Sequence, residues 1–301
     1  MSKAQIAVIG GGLMGAGIAQ MFAAAGHRVA VQEPAEAVRA TIVPRVREGL
    51  IQLGDDPAAA DLVRVTERVD DAVAGAAFVT EAAPEKLWLK RTIFAELESC
   101  APAGAILASN TSVMPIGSIT AGFASAHRMI GTHWWNPATL VPLVEVVQGV
   151  ATSDATVAAT MDLLASIGKK PAHVQKDVAG FVANRLQHAL WREAIAMVAD
   201  GICDARTLDD CVKHSFGLRL AVLGPLENAD LVGIDLTRDI HKTIIPQLNR
   251  DGEPHPILSK MIAQGRLGFK SGAGFQSWSE ADQAALRQQL VAHLLKARAG
   301  E

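Results

Sequence analysis

The chain has 301 residues, half of them hydrophobic and 20% charged, with a formal net charge of -3 at pH 7. That length allows two cores and that composition excludes disorder, while the charge, without any long basic run, gives no reason to expect nucleic acid. The odd cysteine count, with no C-x-x-C pair among Cys100, Cys203 and Cys211, suits reduced thiols, and the absence of Tyr excludes short-chain dehydrogenase chemistry built on a Tyr acid. No signal-peptide core precedes the first strand and no apolar run reaches spanning length, so a cytoplasmic protein with no membrane partner is expected.

Residues 5–9 read as a short apolar strand, followed by Gly10-Gly11-Gly12-Leu13-Met14-Gly15 and an apolar helix that stops at Gly26. Gly10 allows the tight turn, Gly12 lets the backbone approach a pyrophosphate, and Gly15 lets the helix pack on its strand. Free N–H groups at the helix start then face the phosphates, and Leu13 and Met14, inside the turn, join the expected cofactor contacts. A second strand, 28–32, runs into Glu33, an acid placed to bond a ribose 2′-hydroxyl and repel a 2′-phosphate. NAD is therefore expected over NADP, although FAD uses the same turn.

Residues 36–53 read as a helix whose Arg39, Arg45 and Arg47 either face a phosphate or lie on a solvated face, the second being the expectation. Strands at 62–65, 78–81 and 106–109, with a helix at 86–99, alternate as in a parallel, doubly wound sheet. The third of these strands ends in Ser109-Asn110-Thr111-Ser112. Open α/β sheets bind ligands beyond the carboxyl ends of strands, so this is a candidate ligand contact; a turn with a helix cap is the plainer alternative.

Residues 129–147 carry the strongest chemical signal. An apolar strand enters His133, a Trp-Trp-Asn-Pro corner follows, and a second apolar strand holds a lone acid, Glu145. An unpartnered carboxylate in a buried strand is costly, and His133 is the nearest candidate partner. If the strands lie side by side, the acid receives the imidazole N–H, fixes the tautomer and makes a general base. A structural His with a surface Glu on an edge strand is the alternative.

Residues 155–167 read as a helix and 171–175 as the last strand, with a junction at 176–180. One long helix, 181–200, starts with Asn184 in its first turn and Arg185 beside it. Asn184 can cap backbone groups or donate to a substrate oxygen, and Arg185 can bind a substrate carboxylate or simply meet solvent. Further helices are expected at 205–216, 226–245 and 257–264, and a polar, solvated helical arm from 279. The apolar excess from Leu218 to Ile234 exceeds what one small helical layer needs, which predicts a homodimer through this half. The remaining histidines show no metal-ligand spacing, so no metal is expected and most are assigned to the surface.

GGGLMGAGIAQ, Glu33, EAAPEKLWLK, SNTS, THWWNP, LVEVV, DVAGFVANRL and GRLGFKSGAGF occur in an order that resembles the 3-hydroxyacyl-CoA dehydrogenase family across nearly the whole chain. The resemblance implies an α/β fold: a Rossmann-type domain, 1–179, followed by a smaller all-helical substrate and dimerisation domain, 180–301. It implies NAD as cofactor and interconversion of a 3-hydroxy group and a ketone on a small-molecule substrate. His133 matches the catalytic base and Glu145 its partner. Ser112 and Asn184 match residues that hold the reacting oxygen and the imidazole's surroundings, Asn136 lies in the H-x-x-N-P corner, and Glu85 and Lys90 match positions near the nicotinamide ribose and substrate.

The chain departs from the acyl-CoA enzymes in three places. The segment from Glu33 to Val63 is short and lacks a lysine-rich stretch, Trp134 and Trp135 replace a Phe pair, and DVAGFVANRLQHAL is closer to L-gulonate 3-dehydrogenase. A small non-CoA substrate of the L-gulonate, carnitine or pyridine-ring type is therefore the alternative, with the Trp pair narrowing the pocket and offering flat faces. Two other readings stand beside it. The G-x-G-x-M-G turn also opens β-hydroxyacid dehydrogenases, whose catalytic Lys segment is not found here, and a cofactor-binding protein without turnover would not need His133, Glu145, Ser112 and Asn184.

Overall fold

The structure, a computed structural model, describes residues 3–299; the first two residues and the last two of the expected C-terminal arm lie outside that range. The chain divides into two compact units, Met1–Arg185 with Ala292–Glu301, and Leu186–Val291.

In the first unit β1 (Gln5–Ile9), α1 (Leu13–Ala24) and β2 (Arg28–Gln32) form the opening strand–helix–strand. Then come α2 (Glu36–Leu53), β3 (Val63–Thr66), α3 (Val69–Val73), β4 (Phe78–Glu81), α4 (Leu87–Cys100), β5 (Ile106–Ser109) and α5 (Ile116–Thr120). After them, β6 (Met129–Trp134), β7 (Leu143–Val147), α6 (Asp154–Ser166) and β8 (Lys170–Val174) complete the sheet. The strand order is β3-β2-β1-β4-β5-β6-β7-β8. The winding therefore reverses direction between β1 and β4, which opens a crevice beyond their carboxyl ends.

The central strands are continuous apolar runs because helices cover them on both faces. Phe22, Ile42, Val46, Leu50 and Val157, from α1, α2 and α6, pack on one face. Val73, Phe94, Leu97 and Ile119, from α3, α4 and α5, pack on the other. Burying a side chain of the size of Phe22 or Phe94 contributes about 1.5–3 kcal/mol, which makes these helices the clamps that hold the sheet. His27 departs from the expected surface placement: it is buried, with its Nδ1 3.0 Å from the Ala4 carbonyl oxygen and its ring edge-on to Phe22.

The parallel, doubly wound sheet expected from the alternating strands and helices carries one antiparallel pair. β6 and β7 are antiparallel, with His133 directly opposite Glu145, while every other neighbouring pair runs parallel. The eight-residue connection is too short for a crossover helix, so β7 has to return beside β6.

The second unit is reached through α7 (Ala183–Ala199) and contains α8 (Ala205–Lys213), α9 (Pro225–Val232), α10 (Ile234–Ile244) and α11 (Pro256–Ala263). The single helix expected over 226–245 is two helices, because Gly233 adopts a φ of 102° and breaks the hydrogen-bond ladder between α9 and α10. None of α8, α9 and α10 buries a residue fully. The last helix, α12 (Glu280–Ala299), does not end as a free solvated arm: Arg298 pairs with Asp55 at 3.2 Å. Among the described residues no helix is long and apolar enough to cross a membrane.

Candidate active site

The glycine turn lies between β1 and α1. Gly10 takes a φ of 101°, a conformation that favours glycine, and a Cβ at Gly15 would sit 1.8 Å from the Gly10 carbonyl oxygen. A Cβ at Gly12, in contrast, would meet nothing within 4 Å. The first turn of α1 holds no acidic residue and Gly12 provides no side-chain cap, so its N–H groups remain for an anion. Open space at Gly12, close packing at Gly15 and free N–H groups between them fit the pyrophosphate of a dinucleotide. Leu13 stands exposed at this edge, and Met14 packs against the core beneath it.

Glu33 closes the far side of the turn. Its carboxylate accepts from the Gly11 N–H at 2.9 Å and the Ala35 N–H at 3.0 Å. Arg45 is not on a solvated face as expected, because its guanidinium donates to the Gly12 carbonyl at 3.0 Å and the Gly11 carbonyl at 3.3 Å. The turn is thus held by an acid on an N–H and a base on its carbonyls. Arg39 donates to the Glu33 carbonyl at 2.8 Å and pairs with Glu67, and Arg47 pairs with Asp61, which spends both charges on local structure.

Across β6 and β7 the His133 Nδ1 donates to Glu145 Oε2 at 2.8 Å. The other carboxylate oxygen of Glu145 accepts the N–H groups of Val182 and Ala183, at 2.9 and 3.0 Å, from the start of α7. Burial by itself would raise the Glu145 carboxyl, but the His133 hydrogen bond, then the Ala183 and Val182 N–H groups, outweigh it and hold the group below its ordinary range. The acid is therefore an anion that fixes the Nδ1–H tautomer and leaves Nε2 to accept a proton. His133 is only 4% exposed, and its ring packs against Trp135 and Phe181, with centroids 5.2 and 5.7 Å away. Phe181 takes a φ of 51° just before α7, which turns the chain so that both following N–H groups face Glu145.

The Trp pair does not act as one unit. Within β6, His133 and Trp134 point to opposite faces: Trp134 goes into the core against Phe22 at 2% exposure, under the Lys169 ammonium, while Trp135 follows just past the strand. The expected substrate contact by Trp134 is corrected on that ground; Trp135 alone adjoins His133. Asn136 is exposed at the corner and precedes a cis proline. Arg185 is exposed and donates to the Ala179 carbonyl at 3.3 Å.

At the end of β5, three of the four small polar residues serve structure. Ser109 donates to Glu81 at 2.6 Å, Asn110 accepts the Trp134 N–H at 2.9 Å, and Thr111 donates to Glu85. Ser112 remains with an exposed hydroxyl, and its carbonyl accepts from the Asn184 amide at 2.8 Å. Asn184 keeps a second N–H for another acceptor.

Glu85 and Lys90, expected together at the cofactor, are separated by burial. Lys90 is 0% exposed, and its ammonium lies 2.8 and 3.0 Å from the oxygens of Glu81 and 3.3 Å from Glu85. Contact between Lys90 and a cofactor is corrected accordingly: only Glu85 faces outward, accepting the N–H groups of Ser112 and Val113 at 3.0 and 3.3 Å. Burial would raise the Glu85 carboxyl, but Thr111, the Lys90 charge and the Val113 and Ser112 N–H groups hold it low. Sequence reasoning missed Glu81. The signal was there, a lone acid closing a buried strand, as in the case of Glu145.

The NAD-binding domain model of 3-hydroxyacyl-CoA dehydrogenase matches residues 5–178, and the C-terminal domain model of the same enzyme matches 180–278. The chain is 34% identical, over 97% of its length and 96% of the relative's, to 5-formyl-3-hydroxy-2-methylpyridine 4-carboxylate 5-dehydrogenase of Mesorhizobium japonicum. It is 41% identical to the L-carnitine dehydrogenase of Streptomyces griseus, over 76% of this chain and 70% of that one. A crystal structure described as that of the same pyridine-carboxylate dehydrogenase, an NAD+-dependent dismutase, superposes with a TM-score of 0.89 at 33% identity, covering 98% of this chain and 97% of that one. Fold, glycine turn and matches together make this chain an NAD-dependent oxidoreductase that belongs to the 3-hydroxyacyl-CoA dehydrogenase superfamily, alongside carnitine and pyridine-alcohol dehydrogenases.

Proposed function

We propose that the chain interconverts a hydroxyl and a carbonyl on a small free acid, of the pyridine-carboxylate or carnitine kind, rather than on a CoA thioester. The observation that carries this is the end-to-end likeness to a pyridine-carboxylate dehydrogenase. The site supports it with a flat indole, Trp135, beside the base. An aromatic face at that distance suits a ring-bearing or cationic substrate through stacking or cation–π attraction.

In this reading His133 Nε2 takes the hydroxyl proton, and the Glu145 anion meets the positive charge that the ring acquires. The Ser112 hydroxyl and the free N–H of Asn184 bind the reacting oxygen, and Arg185 at the start of α7 receives the substrate's carboxylate. Asn136 borders the substrate at the corner. Gly10, Gly12, Leu13, Met14 and Gly15 hold the dinucleotide's phosphates, with Glu33 on the adenosine ribose and Glu85 on the nicotinamide ribose. NAD held by these residues would supply the hydride acceptor for that oxidation.

The test is a panel of free hydroxy acids, carnitine and pyridine alcohols and aldehydes set against 3-hydroxyacyl-CoA thioesters, followed by NADH absorbance. A kcat/KM favouring a free acid is expected, and a preference for thioesters would overturn the reading.

We propose further that a dinucleotide domain ends near residue 179 and that the helical domain from 180 forms a homodimer. What supports the dimer is the apolar exposure of the second unit, where Leu226 is 81% exposed and Leu218, Leu231 and Ile234 are also exposed. Light scattering coupled to size exclusion should give twice the 31.7 kDa of one chain; a monomer at micromolar concentration would contradict it.

A further inference from the structure

We infer that Glu81 is a positioning residue for the nicotinamide end of the site, acting through Lys90 and Glu85. The inference rests on the roles of Glu85 and Ser112 proposed above. Glu81 cannot touch a ligand: it is 0% exposed, at the last position of β4. Its carboxylate takes the Lys90 ammonium on both oxygens, the Ser109 hydroxyl at 2.6 Å and the Ala83 N–H at 2.6 Å. Lys90 spends its donors on Glu81, on Glu85 and, at 3.4 Å, on the Ala83 carbonyl.

Glu85 is the member of this trio that reaches the surface, its side chain about one-third exposed. One of its oxygens collects Thr111, Ser112 and Val113, and the other faces Lys90. The line of contact thus runs from Glu81 through Lys90 and Glu85 to Ser112, whose carbonyl holds Asn184. Ser109, on Glu81 itself, starts the same turn.

Stability gives a weak reason for this arrangement, because a buried ion pair is often no better than two well-packed apolar side chains. Position gives a stronger one. With Glu81 charged, Lys90 is shared between two acids, and Glu85 keeps negative charge to present outward. With Glu81 neutral, Lys90 has Glu85 as its only counter-charge and draws that carboxylate inward, loosening the Thr111–Val113 turn.

The experiment compares E81Q, the double variant E81Q/K90M and E85Q, measuring NADH and ADP binding by fluorescence and titration calorimetry, and KM and kcat. ADP spans only the glycine turn and Glu33, so it reports general damage to the sheet. Glu81→Gln should weaken NADH binding and raise the KM for NAD on the order of ten-fold, as expected for coupled neighbours, with ADP affinity near wild type and a smaller fall in kcat through the loosened turn that carries Ser112. The double variant, with no buried charge left unpaired, should melt cooperatively and, without Lys90 to draw Glu85 inward, recover part of the NADH affinity that E81Q loses; a folded double variant no better than E81Q would overturn the route through Lys90. Wild-type NADH affinity in folded E81Q, or an equal loss of NADH and ADP affinity, overturns the inference while E85Q still binds weakly. Wild-type NADH affinity in E85Q overturns instead the role of Glu85 from which the inference starts. If the double variant does not fold, E81Q alone decides.

Discussion

Two buried acids end or interrupt apolar strands in the same sheet, and they are put to different use. Glu145 holds an imidazole, a partner that can change charge, through Nδ1, and among the described residues the far nitrogen of that ring has no hydrogen-bond partner. Glu81 holds an ammonium whose donors are all taken up by its surroundings. The first pair can move a proton and the second can only hold a position. What separates them is the partner's remaining valence, since both acids are equally sealed from water.

Replacing His133 by Ala should break that contrast hardest. Turnover should fall about 10²–10⁴-fold while NADH binding, read by fluorescence, stays near normal; near-normal turnover would remove His133 from the chemistry. Lys90→Met, on the other side, should act on folding. It leaves Glu81 buried without a counter-charge, which costs about 3–5 kcal/mol, measurable by urea unfolding. A midpoint unchanged from wild type would mean that the acid finds another partner.

Glu145→Gln sharpens the comparison with a smaller effect. The base survives but loses the anion that orients it, so a decrease of roughly 10–100-fold in kcat is expected, in line with other partners that orient a functional His. The same variant has a pH signature. Glu145 is held below its ordinary value of 4.5, so its contribution to stability is present above that pH and fades as pH falls through the lowered value. Thermal melts should show wild type more stable than the variant at neutral pH, with the gap narrowing as pH falls below 4.5. A constant gap would show that the carboxyl is not depressed in the folded protein.

A different titration separates a third buried charge from both pairs. Lys169, whose ammonium donates to the Ala138 and Val141 carbonyls, is pushed by burial, and secondarily by Arg298, from 10.5 to about 8. The unfolded chain binds this proton more tightly, so stability should rise as pH goes from 8 towards 10.5. Lys169→Met should flatten that slope in denaturant titrations, and a slope kept in the variant would assign it elsewhere.

Much of this could be read from the linear chain where local pattern and chemistry coincide. The glycine turn, Glu33 at a strand end and the lone Glu145 in LVEVV each carry their signal within a few residues. The Rossmann-type fold followed by helices was legible in the same way. What failed had its cause outside the local window. The Trp134–Trp135 pair reads as one feature, but pleating sends one ring into the core and the other to His133. Lys90 is expected beside the cofactor, but β4 places Glu81 against its ammonium and buries both. Arg45 reads as solvated because the carbonyls it binds lie more than 30 residues earlier.

Residue order alone determined which groups are available: a glycine turn after one strand, an acid at the end of the next, an imidazole and a carboxylate twelve positions apart. Tertiary structure decided which of them meet. Antiparallel return of β7 sets His133 against Glu145, the start of α7 gives that acid its two N–H groups, and closure of β4 on β5 buries Glu81 with Lys90. The reason is physical: a charge in a strand has a role only through its partner across the sheet, and pairing in space is set by the packing of the whole domain.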